Sequence, residues 1–273
     1  MVKKKAIASK QKSTTKKTFE ATTKMKSFVM VGSEGFYKKI KQNPIIGALL
    51  AEFIGAFLLV TSIFAVQNSP LFVAFAIVGI VLVIGGVSGA HINPAMTVGA
   101  WATRKINWIT AIGYVAAQCL GAIVAWLLLS TFLKGAEESI GSSTTLFHAA
   151  TIESGKEWYI FFAEFLGATA LALGFARTIK HNCNVVTSAF TYGMAMLLAL
   201  FISVSATGPF LSEPNTGFSF MNPAVAIAAN GISSWDIWPI AVFILAPMAG
   251  AIFGFIIRDI FSQTDKLDCE ICN

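Results

Sequence analysis

Six long runs of apolar residues, over 44–66, 70–89, 108–132, 158–179, 185–207 and 237–257, are separated along this chain by shorter polar breaks. Each is close to the roughly 20 residues that an α-helix needs to cross a hydrocarbon core. Inside the runs apolar residues follow one another without the strict alternation of a barrel strand, so the pattern predicts spanning helices. Two further apolar runs, 96–102 and 225–231, are too short to span. Each is opened by the same tripeptide, Asn93-Pro94-Ala95 and Asn222-Pro223-Ala224. Asn before Pro is a helix start: the side chain can accept from orphan amides, and Pro at the first helical position gives up an N–H that has no partner there. The prediction is an all-α membrane protein with six transmembrane helices and two re-entrant half-helices.

A second pattern is internal. Ala51-Glu52-Phe53-Ile54-Gly55-Ala56 returns as Ala163-Glu164-Phe165-Leu166-Gly167-Ala168, an offset of 112. The two Asn-Pro-Ala copies are 129 apart, as are Ala117-Gln118-Cys119-Leu120-Gly121-Ala122 and Ala246-Pro247-Met248-Ala249-Gly250-Ala251. The second copy is therefore 17 residues longer between its first helix and its half-helix, in part through the Gly- and Pro-containing loop at 208–217. Three spans per copy is an odd number, so the second copy enters the membrane upside down. An inverted repeat puts its working site near mid-depth between the copies, where broken helices are tolerated because they are buried or face water. The repeats run over about 44–133 and 158–258.

Composition agrees with a bilayer: 55% of the 273 residues are hydrophobic and 12% charged, with a mean hydropathy of +0.70, against roughly 25% charged in soluble domains. The net charge of +6 would suit a nucleic-acid binder in a soluble protein, but twelve of the twenty Lys and Arg precede Pro44. With the N-terminus inside, Arg104, Lys105, Arg177, Lys180, Arg258 and Lys266 join them, leaving Lys134 and Lys156 outside. The positive-inside rule then sets both termini in the cytoplasm, most simply of the cell membrane, and no nucleic-acid partner is expected. Residues 1–41, rich in Lys, Ser and Thr, read as a disordered basic arm, 42–260 as the membrane domain and 261–273 as a cytoplasmic tail. Cys119, Cys183, Cys269 and Cys272 all fall in the membrane or on the cytoplasmic side, so no disulfide framework is expected. Cys269 and Cys272 have the spacing of half a zinc site, and no second pair accompanies them, so neither a metal site nor a cofactor is expected.

Ser88-Gly89-Ala90-His91-Ile92-Asn93-Pro94-Ala95-Met96-Thr97, the second Asn-Pro-Ala copy and the repeated Ala-Glu-Phe-x-Gly motif together resemble the aquaporins and aquaglyceroporins, the major intrinsic protein family. The resemblance covers about residues 44–258. It implies an aquaporin-like fold, a homotetramer with a pore in each protomer, and water and small neutral solutes as the molecules handled. It also implies that Glu52 and Glu164 accept hydrogen bonds from the loops leading into the half-helices; a proton-relay role is the rival reading. Physics adds to this. Two half-helix N-termini aimed at one point place roughly half an elementary charge each there, against cations and protons. Asn93 and Asn222 carry N–H donors for a passing oxygen while capping their helices. His91 and Gln118 read as supports of the first loop, and His148 and His181 fall in other loops.

One position departs from the family pattern. Where an Arg usually follows the second Asn-Pro-Ala, this chain has Val225. Counting and loop matching place the remaining constriction residues at Val73, Val204 and Ser219, or at Phe218 in place of Ser219 if one residue is inserted. None is charged. An Arg at a narrow point supplies donors and repels cations, so its loss favours an apolar mouth suited to polyols such as glycerol, unless Phe210, Phe218 or Phe220 fills the gap. The expected function is a passive channel for water or small uncharged solutes. No catalytic residues are expected, because no nucleophile–base pair, metal cluster or phosphate loop has usable spacing. An alternating-access transporter is the alternative, since it too is built on inverted repeats; a structural membrane protein on a channel fold is another.

Overall fold

The computed structural model describes residues 43–65, 69–140, 152, 154–179, 184–207, 219–229 and 237–264. The basic arm over 1–41, the loop at 208–217, His148, His181, Cys183, Cys269, Cys272, Phe210 and Phe218 lie outside the described residues. Two compact units divide at residues 47 and 48. In the first, the Ile46 N–H closes a turn on the Asn43 carbonyl (3.0 Å) as α1 (Pro44–Ala65) begins. The second carries the rest of α1 and everything that follows.

After α1 come α2 (Pro70–Ser88), the short α3 (Pro94–Ala102), α4 (Trp108–Ile140), α5 (Glu157–Thr178), α6 (Val185–Thr207) and the short α7 (Pro223–Ala228). The chain then forms α8 (Ile237–Ile240), a π-helical turn (Ala241–Leu245) and α9 (Ala246–Thr264) as one continuous rod. Among the described residues, six helices are long and apolar enough to cross a membrane. Four elements open on Pro, which fits a first turn because its missing N–H would be unsatisfied there. Gly89 ends α2 in the left-handed region (φ +83°), its N–H bonded to the Gly85 carbonyl at 3.0 Å. Many apolar side chains point outward, such as Phe72, Phe75, Val83 and Phe253, as expected of helices whose solvent is lipid.

Two details depart from the apolar pattern. Helix α4 runs on to Ile140, and α9 continues to Thr264, into the segment read as a tail. The π turn answers to Pro247. Without an N–H, Pro247 cannot bond the carbonyl four residues back, and the turn before it relaxes so that the Ala246 N–H reaches Ala241 O.

Packing interleaves the two copies. Helix α5 lies against both α6 and α9, and α2 crosses to α6 of the other copy. Each short helix also crosses over: α3 packs on α9, and α7 on α4. The close crossings repeat as well. A Cβ on Gly121 of α4 would strike the Phe53 carbonyl of α1, and a Cβ on Gly250 of α9 would strike the Phe165 carbonyl of α5. Small residues at these points let the backbones touch, which compensates in a bilayer for the lack of a hydrophobic drive between helices.

Candidate functional site

The site forms where the first turns of α3 and α7 meet. Just before each, the chain enters the left-handed region, at Ile92 (φ +46°) and Met221 (φ +47°), with Ala90 (φ +50°) also there in the first copy. Such a conformation costs on the order of 1–3 kcal/mol for a non-Gly residue and persists only where surroundings over-determine it. Two fully buried carboxylates do so. Glu52 of α1 accepts the His91 N–H on Oε1 (2.9 Å) and the Ile92 N–H on Oε2 (2.6 Å). Glu164 of α5 accepts the Phe220 N–H on Oε1 (2.7 Å) and the Met221 N–H on Oε2 (2.6 Å).

Turning the backbone this way aims the Ile92 and Met221 carbonyls across the copy boundary. Asn93 Nδ2 donates to Met221 O (2.9 Å), and Asn222 Nδ2 donates to Ile92 O (3.1 Å). The same amides cap their helices, Asn93 Oδ1 accepting from the Ala95 N–H (2.8 Å) and Asn222 Oδ1 from the Ala224 N–H (3.0 Å). The half-helices are thus pinned N-terminus to N-terminus. An amide nitrogen has two N–H groups, so each Asn commits one to the opposite loop and keeps one for another acceptor. Asn93, Pro94, Ala95, Asn222, Pro223 and Ala224 are all buried.

The support differs between copies. In the first, Gln118 Nε2 donates to Glu52 Oε2 (2.7 Å) and to Thr97 Oγ1 (2.9 Å), and the Thr97 hydroxyl donates to Asn93 O (3.1 Å). His91 is locked in place: Tyr192 Oη donates to its carbonyl (3.0 Å), its Nδ1 lies 3.3 Å from Thr97 Oγ1, and Tyr114 and Phe175 pack edge-on against its ring. In the second copy, Pro247 stands at the position of Gln118 and Ala226 at that of Thr97, neither with a side-chain donor. Ser219 takes over, donating from Oγ to Glu164 Oε1 (2.9 Å), with the buried Ser203 hydroxyl of α6 donating to it in turn. Phe220 stacks edge-on against Phe243 of the π turn, their centroids 5.1 Å apart.

Of the four constriction candidates, Val73 on α2 and Val225 on α7 are buried, Ser219 is half-buried in the hydroxyl chain just described, and Val204 on α6 is 38% exposed. The α6 side chain that meets Ser219 is Ser203, one residue before Val204. Among the described residues, no three His, Cys, Asp or Glu side chains gather closely enough to hold a metal ion.

The sequence pattern described as "Major intrinsic protein" matches residues 39–258. The chain belongs to the major intrinsic protein family. It is therefore an integral, multi-pass membrane protein of a family whose channels pass water and small solutes. It is 28% identical over 226 residues to the "Glycerol uptake facilitator protein-like 6" of Lactiplantibacillus plantarum, covering 79% of this chain and 98% of that relative. It is 30% identical over 250 residues to "Aquaporin-1" of Bos taurus, covering 88% and 81%. Among solved structures, the aquaglyceroporin from Plasmodium falciparum superposes with a TM-score of 0.57 at 20% identity, over 82% of this chain and 96% of that one, a likeness of fold.

Within this major intrinsic protein, Thr97, Tyr192 and Ser203 carry site bonds that the sequence motifs did not single out. Thr97 ends the matched signature, so its place was visible but not its task. Tyr192 and Ser203 lie in an apolar helix with no local motif. A search for polar side chains on the α6 face opposite the lipid could have found them.

Proposed function

We propose that the protein is a passive channel that conducts small uncharged solutes of the glycerol class together with water, through a pore passing Asn93 and Asn222. Val225 carries this reading. A buried apolar side chain occupies the first turn of α7, directly after Asn222-Pro223-Ala224, where the family pattern has an Arg. Val73, Val204, Ser219 and Val225 form the filter on this reading. A lining of three Val and one hydroxyl accommodates a carbon backbone, whereas a guanidinium narrows the mouth and holds water through its donors. The free N–H of each Asn gives a solute hydroxyl one stepping-stone at mid-depth. The facing half-helix N-termini still disfavour protons and cations, though less strongly than they would with the Arg. The protein works as a homotetramer in the cell membrane, with both termini in the cytoplasm.

Stopped-flow light scattering of proteoliposomes tests the channel and its filter. The expected result is glycerol flux above that of lipid alone, with low activation energy and no saturation, and a Val225→Arg variant that loses more polyol flux than water flux. Vesicles that pass water but are as tight to glycerol as bare lipid would overturn the wide-filter reading. Saturable flux that needs a driving ion would favour an alternating-access transporter.

A further inference from the structure

The C-terminal end of α6 brings a buried hydroxyl to the loop that leads into α7. Tyr192, Met196, Ala199 and Ser203 recur at helical spacing and are all buried, so they share the face of α6 turned into the bundle. Tyr192, at one end of this stripe, holds the first loop through the His91 carbonyl. Ser203, about three turns further on, reaches the second loop and donates to Ser219 Oγ. Gly167 of α5 makes room for it: a Cβ on that glycine would come within 3.2 Å of Ser203 Cβ.

The bonds at Ser219 decide what its hydroxyl can offer. Glu164 takes the Phe220 and Met221 N–H groups and the Ser219 hydroxyl. In the first copy Glu52 draws on the Gln118 amide of α4, whose counterpart Pro247 has no side-chain donor to give. A serine hydroxyl has one proton and two lone pairs. At Ser219 the proton goes to Glu164 Oε1 (2.9 Å) and one lone pair accepts from Ser203, which leaves a single lone pair on a half-buried side chain. The hydroxyl can accept one more hydrogen bond and has none left to donate.

We propose that Ser203 is a positioning residue for selectivity: with Glu164 it fixes the Ser219 hydroxyl as an acceptor toward the path, so that the filter favours solutes bringing an O–H or N–H group to that point. The inference rests on the reading that Ser219 lines the filter. Water in single file keeps partners fore and aft. A polyol or urea must shed water along its length beside Val73, Val204 and Val225, and Ser219 is the one polar side chain among the four that can take its hydrogen bond. Such a solute therefore depends on the aim of this hydroxyl more than water does. Without Ser203 the hydroxyl is held by Glu164 alone and swings about that bond.

Stopped-flow light scattering of proteoliposomes, with water, glycerol and urea followed on the same preparations, tests it. Ser203→Ala should leave water flux near wild type and lower glycerol and urea flux relative to it by about threefold, the low end of what one hydrogen bond is worth. Ser203→Cys, which keeps a weaker donor of similar shape, should fall between. Ser219→Ala should lower the same ratio, and adding Ser203→Ala to it should lower it no further, because Ser203 acts through Ser219. A glycerol-to-water ratio unchanged in Ser203→Ala, water and solute flux falling together, or a further loss in the double variant would overturn the proposal. Wild-type vesicles that pass no glycerol would remove the filter reading and this inference with it, whereas wild-type glycerol flux alongside any of those three results removes the role of Ser203 alone.

Discussion

At the residue scale, the two Asn side chains do more than cap. Each joins its own half-helix to the loop of the other copy, so Asn222→Leu removes a cap and a cross-copy bond together. A lost cap costs about 1 kcal/mol and a stranded buried partner about 1–3 kcal/mol. The expected outcome is a lower melting temperature in detergent and reduced solute flux at matched membrane levels, with Cys269→Ser and Cys272→Ser unchanged in flux. Flux equal to wild type in Asn222→Leu would remove that Asn from the path. Glu164→Gln probes the loop support. One amide oxygen can still accept, but its NH₂ would face a loop N–H, the Met221 one or the Phe220 one, leaving a buried donor unmet at a cost of about 1–3 kcal/mol. Thermal denaturation should show the loss, and Glu52→Gln should show a similar one through Ile92 or His91.

At the element scale, helix crossings decide which glycines matter. Gly121 and Gly250 touch carbonyl oxygens of a neighbouring helix, and backbone cannot swing aside as a side-chain tip can. Gly121→Ala and Gly250→Ala should each destabilise by about 1–3 kcal/mol through overpacking. Gly79 and Gly86 of α2 have open space where a Cβ would go. Gly79→Ala and Gly86→Ala should be neutral or stabilising by up to about 1 kcal/mol, since Ala is the better helix former. Denaturation midpoints of the four variants separate the two classes; equal effects would show that the crossings are looser than the structure has them. The π turn belongs to this scale too. Pro247 is plain in the sequence, but that the helix would absorb it by a π turn bearing Phe243 against Phe220 depends on what the loop leading into α7 presents there.

At the scale of the whole molecule, the cations sort by end. Arg104, Lys105, Arg177 and Arg258 gather at one end through the Lys105–Asp259 pair and a cleft that Arg177 and Arg258 both line, and Lys156 precedes α5 at the other. If that basic end is cytoplasmic, trypsin added to intact cells should spare the Lys-rich arm, and trypsin added to inside-out vesicles should remove it. Cleavage in intact cells would reverse the topology. Chemical cross-linking in native membranes should give bands up to a tetramer, and monomers alone in lipid would count against the proposed assembly.

The sequence by itself determined the helices, the inverted repeat and the family. These rest on local or periodic signals: an apolar run must be long enough to span, Asn-Pro must start a helix, and a duplication shows as a fixed offset. It also exposed Glu52, Glu164 and Val225, because a charge inside an apolar run, or a Val where a motif has Arg, stands out along the chain. Only the tertiary structure decided where Asn93 and Asn222 send their second bonds, and that Thr97 serves the first copy while Ser203 and Ser219 serve the second. The Asn partners are more than a hundred positions away and Ser219 is 55 from Glu164, and the hydroxyls of Thr97, Ser203 and Ser219 are too ordinary to signal a role until the fold buries them beside a carboxylate. A buried hydrogen bond needs a specific geometry, and geometry between residues 40 to 130 positions apart is set by packing rather than by pattern.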